Sequence, residues 1–238
     1  MANTGPYRRA VLKISGEALA GEHGFGLDRG KIDWIAGQIA RAARDGHELG
    51  VVIGGGNILR GVRSDSLGVP PLVGDHMGMI ATLLNALALR AALERAGVAA
   101  RCLSAFPVGA FMEVFEMEKA LSYLAQGFVV IFGGGTGNPC FTTDSAGALR
   151  AVEIDADVVV KATQVPGVFD KDPKKYPDAV FFPSITPQEV LERRLGVMDA
   201  TSIEILGRKK IPTIVLDLHE DGNLVRALKG ENVGTTIA

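Results

Sequence analysis

The sequence is poor in cysteine, in aromatic residues and in excess charge of either sign. Its two cysteines, Cys102 and Cys140, have neither metal-ligand spacing nor a Cys-x-x-Cys arrangement, and its four scattered histidines complete no metal set. Reduced thiols and no protein-held metal are the expectation. Net charge is -2 from 25 basic and 27 acidic residues, no run of like charge exceeds a few residues, and aromatics make up 6%. That balance argues against nucleic acid as a standing partner. No apolar stretch reaches the roughly 18 residues of a membrane span, and no signal peptide precedes the first strand, so a cytoplasmic protein without a membrane partner is expected. Two nucleotide signatures are also missing. No Gly-x-x-x-x-Gly-Lys-Ser/Thr run occurs, which excludes a P-loop, and no glycine turn reads Gly-x-Gly-x-x-Gly, which weakens a dinucleotide reading.

What the chain has in quantity is glycine, 30 residues in 238, many of them placed after apolar runs. The organising stretch is 129 to 144, VVIFGGGTGNPCFTTD: a buried strand, a glycine turn and a helix start. Gly133 to Gly135 and Gly137 let the backbone approach a ligand, and Thr136, Asn138, Thr142, Thr143 and Asp144 supply groups that read a polar ring and carry a carboxylate. Earlier, AVLKISG at 10 to 16 reads as a strand containing Lys13, either an edge-strand lysine with its head in water or a lysine aimed at phosphate. LGVVIGGGNILRG at 49 to 61 reads as a strand, a Gly54 to Gly56 turn and then Arg60, either a guanidinium that forks onto phosphate or an arginine on a solvated face.

Residues 61 to 74 have no clear period and read as a loop. From Gly74 a helix of about 20 residues is apolar round most of its circumference, as a buried helix or an oligomer interface requires. Asp75 stands at its expected N-terminus, as a cap or as an acceptor for sugar hydroxyls. Residues 113 to 126 read as a helix and 157 to 161 as a strand. In the Pro- and Gly-rich loop beyond, Phe169 either stacks on a base or anchors the loop, and Asp172 is placed to bind adenine or ribose. The alternation of strands and helices, without linker or repeat, predicts one domain over 1–238: a three-layer α/β/α sandwich with a largely parallel central sheet.

The motifs KISGEAL at 13 to 19, GGGNILRG at 54 to 61, GDHMGM at 74 to 79, GTGNPCFTTD at 135 to 144 and GVFDKDP at 167 to 173 resemble, in order and together, the bacterial uridylate kinases of the amino acid kinase family. LGVMDA at 195 to 200 and the terminal GENVGTTI extend the match over nearly the whole chain. The resemblance implies transfer of the γ-phosphoryl of ATP to UMP, with Mg²⁺ carried by the nucleotide, in a homohexamer activated by GTP and inhibited by UTP. It implies that Lys13, Ile14, Ser15 and Gly16 hold ATP phosphates with Gly56 and Arg60 nearby, and that Thr163, Phe169 and Asp172 line the adenosine site. UMP would contact Gly55, Asp75, Thr136, Gly137, Asn138, Pro139, Cys140, Phe141, Thr142 and Thr143. Gly21, Glu22, His23, Gly24, Phe25 and Gly26 correspond to the family's GTP-response segment.

The chemistry agrees with the resemblance. Phosphoryl transfer asks for alignment and charge neutralisation, and the UMP phosphate is already an anionic nucleophile. Lys13 and Mg²⁺ would then stabilise the equatorial oxygens, with Arg60 as a further catalytic residue, while Asp144 would organise the site rather than accept a proton. Gln164 and Pro166 depart from the family's usual Lys-Val-Asp, and Pro70-Pro71 replace a basic residue before GDHMGM. Rival readings are a carboxylate kinase of the same fold, a nucleotide-binding or storage protein without turnover, and, more distantly, a dehydrogenase.

Overall fold

The computed structural model describes residues 7–22, 24–59 and 68–238. The roles expected of Arg60 and His23, and residues 61 to 67 of the 61 to 74 loop, lie outside the described residues. In chain order the strands are β1 (Arg9–Ile14), β2 (Glu48–Ile53), β3 (Ala100–Ser104), β4 (Glu113–Val114), β5 (Val129–Gly133), β6 (Val158–Thr163), β7 (Val168–Phe169), β8 (Phe181–Phe182), β9 (Ser184–Ile185), β10 (Thr213–Asp217) and β11 (Thr235–Ile237). The helices are α1 (Arg29–Arg44), α2 (Gly56–Leu59), α3 (Pro71–Arg95), α4 (Met117–Ala125), α5 (Thr143–Glu153), α6 (Pro187–Glu192), α7 (Ala200–Lys209) and α8 (Asn223–Leu228).

Among the described residues nine strands form one sheet in the order β4-β3-β5-β2-β1-β6-β10-β11-β9. Neighbours from β4 to β10 run parallel, and β11 turns antiparallel to β10. Strand periodicity divides the core in two. Ala10, Leu12 and Ile14 of β1 pack with Ile35 and Ile39 of α1 and Leu89 and Leu93 of α3 on one face. Val11 packs with α5 and α7 through Ala148, Ala151, Ile203 and Leu206 on the other. The three layers expected from the alternating pattern are therefore present.

β1 is a central strand, so Lys13 is not an edge lysine. The helix expected from Gly74 starts at Pro71, a first-turn position where the missing N–H has no intrahelical partner to lose. Asp75 is thus the fifth residue of α3 and not its cap. α3 is also long and apolar enough to cross a membrane by length and composition, with a mean hydropathy of 1.4 over an 18-residue window. This corrects the expectation that no stretch is: Thr82 and Asn85 interrupt the apolar run without lowering the window average enough. In the fold, Leu83, Ala86, Leu89 and Leu93 of this helix are buried. Two further expectations change. Residues 113 and 114 form β4 beside β3, so the next helix begins only at Met117, and the Pro-rich loop folds in part as a β7–β8 hairpin.

Candidate active site

The parallel ladder of β1 and β6 sets Lys13 directly opposite Lys161. Odd-numbered neighbours Val11 and Val159 belong to the face covered by α5, so both lysines emerge on that face near the carboxyl ends of their strands. α5 begins there, and Asp144 in its first turn meets both: Asp144 Oδ2 accepts from Lys161 Nζ at 2.7 Å, and Oδ1 lies 2.8 Å from Lys13 Nζ. The Lys13 contact is an ion pair without hydrogen-bond alignment. Lys13 is 8% and Asp144 9% exposed, so the three charges interact across little water. Burial, and then the charge of Lys13, hold the Lys161 ammonium below the usual lysine pKa, with Asp144 opposing both.

Asp199 fastens this corner. It caps α7 by accepting from Ser202 N at 2.8 Å, and it also accepts from Ser145 N at 3.2 Å and from the Thr142 hydroxyl. Burial acts to raise its pKa, but the hydrogen bonds from Thr142, Ser202 and Ser145 outweigh it and hold the carboxyl below the usual range. Thr142 itself caps α5, accepting from Asp144 N at 3.0 Å. Sequence reasoning missed Lys161 and assigned no site role to Asp199. The signal for Lys161 was available: VVVK at 158 to 161 repeats the AVLK pattern that singled out Lys13.

The triad opens into a cavity of about 1170 Å³. Lys13, Ser15, Gly16 and Gly56 line it at one end, and Thr163, Phe169 and Asp172 line it further along β6 and the hairpin. Ile14 is fully buried and contributes its carbonyl, which accepts from Gly54 N at 2.9 Å. Phe169 rests against Phe181 with ring centroids 5.3 Å apart, and the Thr163 hydroxyl donates within its own turn, 2.7 Å from Val165 O. Gln164 also lines the cavity, accepting from Lys174 Nζ at 3.3 Å.

A second cavity of about 410 Å³ adjoins the first, and Gly55, Gly56 and Thr143 line both. Asp75, Thr136, Asn138 and Phe141 stand in its wall. Asp75 accepts from Cys140 N at 2.8 Å, so its carboxylate holds the glycine turn to α3. Gly137, Pro139 and the Cys140 side chain lie outside this wall, and Thr142, whose hydroxyl caps α5, lines the larger cavity. The described part of 21 to 26 lines neither cavity; it docks on α2, where Gly26 N donates to Asn57 O at 2.8 Å. Among the described residues no group of three or more His, Cys, Asp or Glu is placed to hold a metal ion.

Residues 8–217 match the sequence profile of the Amino acid kinase family. The uridylate kinase of Brucella anthropi is 49% identical over 238 residues, covering 100% of this chain and 99% of that protein. The uridylate kinase of Brucella abortus is 50% identical over 232 residues, 98% of this chain and 97% of that protein. The crystal structure of the UMP kinase from Bacillus anthracis superposes with a TM-score of 0.94 at 34% identity, covering 98% of this chain and 96% of that one.

Proposed function

The chain belongs to the amino acid kinase family, and on that premise we propose that it transfers the γ-phosphoryl group of ATP to UMP, giving ADP and UDP. The observation that carries the reading is the pair of cavities with a common wall, the Lys13–Asp144–Lys161 cluster opening at that wall. The larger cavity takes ATP and the smaller takes UMP, which brings the reacting groups together at Gly55, Gly56 and Thr143. The whole of 1–238 acts as one domain.

Lys13 and Lys161 supply two ammonium groups to the phosphoryl group as charge spreads over its equatorial oxygens. Asp144, contacted by both ammoniums, keeps them in place and is not free to serve as a base. None is required, because the UMP phosphate is already anionic. With the carboxylate of Asp144 engaged by two lysines, Mg²⁺ would be held by the nucleotide rather than by this chain, and it would supply charge neutralisation there. Thr136 and Asn138 face the acceptor cavity with groups suited to the carbonyls and N–H of uracil. The test is ADP release with Mg-ATP and UMP, CMP, glutamate or acetylglutamate in separate assays. Turnover on a carboxylate alone, or none at all despite nucleotide binding, would discard the reading.

Gly55 gives this division a sharper check. A Cβ there would sit 2.7 Å from Gly78 O and 2.9 Å from the Ala81 Cβ, forcing the turn away from α3. Gly55→Ala is expected to raise the KM for UMP about 10-fold or more while the KM for ATP changes less than 3-fold, by the roughly 1–3 kcal/mol that overpacking costs. Parallel changes in both constants would place UMP elsewhere.

The assembly is a homohexamer in the cytoplasm, activated by GTP and inhibited by UTP, with the 21 to 26 segment as the GTP-responsive part. Its support in the fold is the outer side of α3, where Ile80 is 54% and Leu84 47% exposed one turn apart. Ile80→Asp with Leu84→Asp is expected to lower the mass measured by light scattering to a smaller species. An unchanged mass would take α3 out of the interface.

A further inference from the structure

Two fully buried amides stand behind the wall that the cavities share. Asn57 of α2 and Asn85 of α3 have no exposed surface, and buried carboxamides are costly unless their donors and acceptors are paired. Here both hydrogens of each NH₂ group are used. Asn85 Nδ2 donates to Gly54 O at 2.6 Å and to Asn57 Oδ1 at 2.7 Å. Asn57 Nδ2 donates to Gly26 O at 2.7 Å and to Asn85 Oδ1 at 3.1 Å.

The pair also touches the turn after β1. A Cβ on Gly16 would lie 2.5 Å from both Asn57 Oδ1 and Gly54 O and 2.8 Å from Gly56 N. Gly54 N in turn donates to Ile14 O. The two glycine turns that flank the reacting groups are therefore packed on one polar knot. Filling space would need only an apolar side chain at 85, on the buried side of a helix that also carries Leu89 and Leu93. The hydrogen bonds do something more specific: they fix how far the Gly54 to Gly56 turn stands from α3 and from Gly16.

We propose that Asn57 and Asn85 are positioning residues for phosphoryl transfer, setting the alignment of the two cavities through the Gly54 to Gly56 turn and tying that turn to the 24–26 segment. The inference rests on the transferase reading above. Displacement of reacting groups by about 1 Å costs on the order of 100-fold in rate, with little effect on ground-state binding. A role in folding alone would instead lower stability and the fraction of active protein.

The experiment compares wild type, Asn85→Asp and Asn85→Leu by steady-state kinetics with Mg-ATP and UMP. Active sites are counted by calorimetric titration with a non-hydrolysable ATP analogue. Asn85→Asp keeps the shape but sets an oxygen against Gly54 O; Asn85→Leu keeps the volume and removes every bond. Both are expected to lower kcat per counted site by about 30- to 300-fold with both KM values within about 3-fold. Either variant folding with kcat per site within 3-fold of wild type overturns the proposal, as does a failure of both to fold, which would leave a structural role. Wild type in the same assay separates the two claims: no wild-type turnover of UMP overturns the transferase reading and this inference with it, whereas normal wild-type turnover beside an unimpaired variant overturns the inference alone.

Discussion

Asp144→Asn is expected to lower kcat by about 10²- to 10³-fold while leaving the KM for UMP within a few-fold of wild type. Asp144 contacts both ammoniums, with Oδ1 toward Lys13 and Oδ2 toward Lys161. An amide is nearly isosteric but carries no charge, so the two lysines, paired in register across adjacent strands, would face each other without compensation. One or both would turn away or lose a proton, and the developing charge on the phosphoryl group would meet fewer fixed donors. UMP binding should suffer little, because Asp144 lies in the larger cavity and the wall of the smaller one is untouched. Steady-state kinetics with each substrate varied in turn measure the split. A KM for UMP that rises as much as kcat falls would make Asp144 an acceptor-binding group, and near-normal turnover would remove its organising role.

Lys161→Met should cost about 100-fold in kcat, the loss expected when one preorganised donor to a developing charge is removed. It should also move the alkaline limb of the pH profile. Burial and the neighbouring Lys13 charge favour the neutral amine, so Lys161 gives up its proton below the ordinary lysine value of 10.5. In the proposed reaction the ammonium is the form that acts on the phosphoryl group. Activity is therefore expected to fall as pH rises through that lowered value, and in Lys161→Met the residual activity should hold to higher pH. A wild-type profile flat up to pH 10.5, or one identical in the variant, would assign the limb to another group.

The two lysines mark how far the site was legible in the sequence. Lys13 stood out because a glycine turn follows it, which made phosphate an obvious partner. Lys161 also ends a three-residue apolar run, VVV against AVL, so the same signal was there, but Ala162 and Thr163 follow it instead of a Ser-Gly turn. The capping role of Asp75 failed differently. Gly74 looked like the start of a helix, yet Pro71 begins it, and the carboxylate became a clasp on Cys140 N instead of a cap. Thr142 was correctly seen near the start of a helix, and its hydroxyl caps α5 while donating to Asp199.

By itself the sequence determined the three-layer α/β class, the glycine turns after β1, β2 and β5, and the family, because period, turn chemistry and ordered motifs are local properties of a chain. The tertiary structure alone decided which residues share a site. Strand register put Lys161 opposite Lys13, the start of α5 brought Asp144 between them, and the crossing of α3 behind β2 buried Asn85 against Asn57. Each depends on residues between 17 and 148 positions apart in the chain meeting in one packed core, and such meetings are set by sheet order and helix packing, which no local pattern encodes.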